Sequence, residues 1–164
     1  MKTHLLASLG AVAIGGTVAF ATLTSAQGTS GTAAPVASEA GDPSKQITIW
    51  RDPGCGCCDA YAEYLEAEGF EVTVIDDRRF DESSVAAGVP EAGLGCHLAL
   101  IGGYAVSGLV PAEVIERLPE ERPPIAGITL PGMPANAPGM APEKTGTLRV
   151  YAFGPDGVEV YADE

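Results

Sequence analysis

Alternation of apolar and polar positions first becomes legible at Ile47-Thr-Ile-Trp-Arg51, a β-branched and aromatic run that predicts a short strand ending in the Asp52-Pro53-Gly54 turn. Between Cys57 and Glu68 the period changes. Tyr61, Tyr64 and Leu65 recur at i, i+3 and i+4, and Gly69 follows as a stop, which predicts an amphipathic helix. Phe70 to Ile75 alternates again and predicts a second strand, and Asp81 to Ala87 predicts a short helix before Gly88-Val89-Pro90. Leu98–Ile101 and Tyr104–Val106 flank Gly102-Gly103, the pattern of a tight hairpin. Pro111 opens a further helix with Val114, Ile115 and Leu118 on one face, since proline suits a first helical position. From Pro119 to Gly146 there is no period and much Pro and Gly, which predicts a long irregular loop. Thr147–Phe153 and Val158–Tyr161, joined through Gly154-Pro-Asp-Gly157, predict a terminal hairpin.

Strand, helix, strand, helix, hairpin, helix is the order of an α/β domain. It fits a thioredoxin-like three-layer fold, a central mixed sheet with helices on both faces, extended by the long Pro/Gly/Met loop and the C-terminal hairpin. Ahead of it lies different chain. Met1-Lys-Thr-His4, an apolar run to Phe20 and small residues ending at Ala26 have the form of a secretory signal peptide. The run is Gly- and Ala-rich and shorter than the roughly 20 residues that span a bilayer, so stable membrane insertion is not expected. Residues 27–45, dominated by Gly, Thr, Ala, Ser and Pro, are expected to be a flexible tether without fixed structure. The domain is then expected over 46–164.

Composition narrows the function. The 164 residues carry 22 acidic and 9 basic side chains, a formal net charge of −13. Nucleic-acid binding relies on clustered Lys and Arg, so that class is excluded. No Ser/His/Asp arrangement and no phosphate-cradling glycine loop is present.

The chemistry is in the four cysteines. Cys55-Gly-Cys57-Cys58 falls where the first strand hands over to the first helix, a position at which backbone N–H groups and the helix dipole stabilise thiolates. Cys55 and Cys58 alone form a C-x-x-C dithiol, suited to thiol–disulfide exchange with Cys55 as attacking thiolate and Cys58 as resolving thiol. Cys57 adds a third sulfur, and such a cluster suits Cu(I), or secondarily Zn(II). The alternative is a simple disulfide with one spare thiol. Cys96-His97 precedes the predicted hairpin, and a thioredoxin-like plan brings that loop opposite the first motif. His97 is there a candidate ligand or base. Met133 and Met140, in the irregular stretch, add thioether sulfurs, soft donors that do not form disulfides; the plainer reading is that they pin a loop.

Pro53-Gly-Cys-Gly-Cys-Cys58, Gly88-Val-Pro90, Cys96-His97, Gly108-Leu-Val-Pro-Ala112, Ile128-Thr-Leu-Pro-Gly-Met133 and Pro138-Gly-Met140 together resemble the small exported copper-resistance proteins of CopG type. The similarity runs from about Ile47 to Phe153. It implies a thioredoxin-like fold and a bacterial periplasmic protein that binds copper through Cys55, Cys57, Cys58, Cys96 and His97, with Met133 and Met140 as further candidates. Copper ions and other periplasmic copper-handling proteins are the partners it implies.

Overall fold

A computed structural model describes residues 41–164. The expected signal peptide (1–26) and most of the expected tether lie outside the described residues. The tether's last residues differ from expectation. Pro43–Lys45 forms one 3-10 turn, capped by the Asp42 carboxylate, which accepts from the Ser44 N–H at 2.9 Å. Lys45 pairs with Glu116 and stacks over the Phe70 ring at 4.5 Å, so this turn is fastened to the domain.

Three helices and a seven-stranded mixed sheet follow. Strand β1 (Gln46–Arg51) leads into helix α1 (Gly56–Ala67) and strand β2 (Glu71–Asp76), which pairs parallel to β1. Helix α2 (Phe80–Ala86) precedes the hairpin β3 (His97–Ile101) and β4 (Tyr104–Ser107). Helix α3 (Ala112–Glu121), strand β5 (Gly127–Thr129) and the hairpin β6 (Arg149–Gly154) and β7 (Gly157–Asp163) complete the order. Spatially the strands run β2-β1-β3-β4-β5-β6-β7. The expected α/β architecture with a central mixed sheet is therefore present.

Two details depart from the sequence reading. Helix α3 continues through Pro119 to Glu121 and ends at Arg122, whose φ of 49° is left-handed. Within the stretch expected to be wholly irregular, β5 pairs parallel to β4 and antiparallel to β6. This short strand joins the C-terminal hairpin to the main sheet.

The two faces of the sheet are filled differently. Ile47, Ile49, Ala99, Ile101, Val106 and Ile128 turn to one side, because alternate side chains of a strand share a face. There they meet Tyr61 and Leu65 of α1 and Val114, Ile115 and Leu118 of α3, all fully buried. Leu98, Ala105 and Phe153 turn to the other side, against Val89 and Ala87 after α2. Polar bonds lock α1 to the start of α3. The Tyr61 hydroxyl donates to the Val110 carbonyl at 2.6 Å, and the Ala112 N–H donates to the Tyr64 hydroxyl at 3.0 Å.

Candidate metal centre

Helix α1 begins at the cysteine motif. Gly54 turns the chain with φ +83°, a conformation that a side chain disfavours, and Cys55 is the residue at the helix cap. The Cys55 N–H donates to the Asp52 carbonyl at 3.1 Å, and the Cys55 carbonyl accepts from the N–H groups of Cys58 and Asp59, each at 3.1 Å. One tight turn thus gathers three cysteines at the N-terminal end of a 12-residue helix.

The second segment is held by close backbone approach. A side chain on Gly95 would collide with the backbone of Gly108, and Gly95 N–H donates to the Ser107 hydroxyl at 2.9 Å. This fixes the residues entering β3 and sets Cys96 against the α1 turn. Its carbonyl lies 3.4 Å from the Cys58 sulfur. The Sγ atoms of Cys55, Cys57, Cys58 and Cys96 all lie within 4.8 Å of one another. Residues separated by 38 positions in sequence therefore share one sulfur pocket.

Inside this group Cys55 and Cys58 are joined by a disulfide, while Cys57 and Cys96 are free thiols. Cys57 Sγ stands 3.5 Å from Cys55 Sγ. Burial, and then the neighbouring Cys57, push the Cys96 thiol up to about 12, so Cys96 is protonated and a metal must displace its proton. Four thiolates around one ion with bonds of about 2.3 Å would sit about 3.8 Å apart by tetrahedral geometry. The pocket is close to that span, so opening the disulfide leaves a donor set that fits a soft cation.

His97 lies next to this set. Its ring is fully buried, 4.9 Å from the Tyr61 ring, with Nδ1 3.5 Å from Cys96 Sγ and Nε2 without a hydrogen-bond partner among the described residues. Burial lowers its pKa to about 4, which keeps the imidazole neutral, the form that ligates metals. The two methionines part company. Met133 is exposed and places its sulfur 3.9 Å from Cys57 Sγ. Met140 instead lines a groove of about 780 Å³ along α1, beside Ala60, Glu63, Tyr64 and Lys144.

Arg51, which the sequence reading left as the end of a strand, belongs to the surroundings of the site. Its guanidinium donates to the Asp52 carbonyl at 3.1 Å and pairs with Asp59 and with Asp76, each at 2.9 Å. Asp76, at the end of β2, is thus tied to the cysteine turn through Arg51. The available signal was a basic residue placed just before the cysteine turn with an acid in the first turn of the helix after it.

Comparison with known proteins gives the family. Residues 94–140 match a family model described as a protein of unknown function, DUF411. No curated protein sequence matches the chain. Two solved structures are similar to it, Copper resistance protein copG in Form 1 and in Form 2. Each is 35% identical with a TM-score of 0.66 over 73% of this chain, covering 96% of the Form 1 chain and 97% of the Form 2 chain. With that identity over nearly the whole of the solved chains, and with four cysteine sulfurs drawn into one pocket, the chain belongs to the CopG family of copper resistance proteins.

Proposed function

We propose that this chain is a periplasmic copper-binding protein that sequesters or hands on Cu(I), with Cys55, Cys57, Cys58 and Cys96 as the principal donors. His97 and Met133 are the additional donors in this reading, and Met140, set in the α1 groove, stays outside the immediate set. The observation that carries it is the convergence of four sulfurs from two segments within 4.8 Å in a chain of this family. Thiolates and thioethers prefer soft monovalent copper, and zinc is the secondary candidate. Residues 1–26 act as an export signal in this reading, and no helix among the described residues is long and apolar enough to cross a membrane.

Binding through all four sulfurs requires a two-electron reductant, such as a pair of small-molecule thiols that leave as their disulfide, to open Cys55–Cys58 to two thiolates. Oxidation then withdraws two donors and releases metal. Anaerobic Cu(I) titration of the reduced chain against a competing chelator tests the reading. Wild type is expected to outcompete the Cys55→Ser/Cys58→Ser double variant by at least ~100-fold, since each lost donor weakens a thiolate site by kilocalories. Equally weak binding by both rejects it, and equal affinity of reduced and oxidised protein rejects the redox coupling.

The disulfide at the head of α1 favours a second reading, a thiol–disulfide oxidoreductase using Cys55 and Cys58. Cys57→Ser separates the two, because it spares disulfide exchange and weakens a metal site.

A further inference from the structure

The cysteine turn is gripped at both ends by one side chain. Asp52 opens the segment that contains Cys55, Cys57 and Cys58, and Asp59 closes it. Arg51 Nη1 donates to the Asp52 carbonyl at 3.1 Å, the same carbonyl that accepts from the Cys55 N–H. Arg51 Nη2 donates to the Asp59 carboxylate at 2.9 Å, one residue beyond Cys58. Nη1 also meets Asp76 at the end of β2, which anchors the guanidinium to the sheet. The Arg51 side chain is only 14% exposed, although both carboxylates are more than half exposed. Arg51 is also the register partner of His97 on β3, the residue after Cys96. The strand residue that grips the first three cysteines is therefore paired with the segment that carries the fourth.

We infer that Arg51 is a positioning residue for the sulfur pocket: its planar, multi-donor head clamps the Asp52–Asp59 turn so that Cys55, Cys57 and Cys58 are held converged whether or not they are cross-linked. A lysine cannot reproduce this, since one ammonium does not present the fork that spans a carbonyl and two carboxylates. A clamp of this kind acts through preorganisation, by sparing the turn the entropy of being ordered when sulfurs close on each other or on a metal. The metal half of this inference rests on the copper reading above; the thiol half does not.

The experiment uses the full chain with Arg51→Met, Arg51→Lys and Asp59→Asn, and with Arg149→Met as a control that removes an exposed ion pair with Asp163 on the C-terminal hairpin. Circular dichroism confirms folding. In metal-free protein equilibrated with glutathione, two glutathione thiols are oxidised to one glutathione disulfide for each Cys55–Cys58 bond reduced to two thiols. The equilibrium then reports the effective concentration of one sulfur at the other. Charge-assisted hydrogen bonds at both ends of the turn predict that Arg51→Met shifts this equilibrium ~10-fold toward the reduced dithiol. The same variant lowers Cu(I) affinity of the reduced protein by ~10-fold, and Arg149→Met changes neither. Asp59→Asn, at a half-exposed site, moves both in the same direction by about threefold. Unchanged equilibria in folded Arg51→Met, no shift in Asp59→Asn, or full recovery by Arg51→Lys overturns the clamp. If wild type binds no Cu(I), the copper reading falls and the glutathione equilibrium alone judges Arg51.

Discussion

His97 shows how a single buried residue carries a measurable signature. Its ring faces Tyr61 and Cys96, and among the described residues no charged group within hydrogen-bonding reach compensates its burial. The unfolded chain takes up a proton near the ordinary value of 6.5, while the folded protein resists protonation down to about 4. Above pH 6.5 both states are neutral and the residue contributes no pH dependence. As the pH falls through that value the unfolded state binds more protons, so stability drops, and the loss levels off below about 4. In metal-free, chelator-treated protein, the urea midpoint of wild type is therefore expected to fall more steeply between pH 6.5 and 4 than that of His97→Phe. Parallel curves would contradict the burial. Tyr61 offers a second check at this scale. Tyr61→Phe leaves the buried Val110 carbonyl without its 2.6 Å donor, and a loss of ~1–2 kcal/mol in chemical denaturation is expected.

At the level of elements, the irregular stretch after α3 is fastened to α1 by backbone contact. Gly139 has φ +81°, and a Cβ there would stand 2.6 Å from the Cys57 carbonyl and 3.0 Å from the Tyr61 nitrogen. Gly139→Ala combines left-handed strain with a collision against helix backbone. We expect it to reduce stability by ~1–3 kcal/mol and to speed alkylation of Cys57 as the loop lifts away. Alkylation at the wild-type rate would show that the loop does not shield Cys57. Periodicity made most elements legible: α1 was visible in Tyr61, Tyr64 and Leu65, and β1 in Ile47 and Ile49, because one face of each is buried and the other is not. Gly127–Thr129 was invisible, since its burial on both sides removes alternation and three residues are too few to establish a period. The end of α3 was placed before Pro119 because proline normally ends a helix; the chain instead keeps helical geometry to Glu121, and the Arg122 N–H still donates to the Leu118 carbonyl at 3.0 Å. In the pocket, adjacency in sequence flagged Cys55, Cys57 and Cys58, and the predicted topology brought in Cys96. Nothing in composition separated Met133 from Met140. Only the path of the loop puts one sulfur beside Cys57 and the other in a groove.

For the molecule as a whole, Cys58 and Cys96 border the core, but most of it is built from residues outside the sulfur pocket. Fully buried Ile49, Leu65, Val106, Ile115 and Ile128 unite β1, α1, β4, α3 and β5 without any donor atom. A structural zinc site would make folding conditional on metal. Strong chelation at neutral pH is instead expected to leave the far-ultraviolet dichroism and the thermal midpoint within about 3 °C of untreated protein, because each hydrophobic side chain of this core contributes about 1.5–3 kcal/mol by itself. Collapse of the fold on chelation would show that a metal holds it together.

The pocket takes Cys55, Cys57 and Cys58 from before β2 and Cys96 from after α2. Synthesis proceeds from the N-terminus, so a nascent chain that has just produced Cys58 carries three thiols with no fourth to face them. The complete donor set arises only after β3 has emerged and docked against β1. A ribosome-bound intermediate halted before Cys96 would thus be chemically reactive yet unfinished, and the finished fold is what turns those thiols into a single receptor.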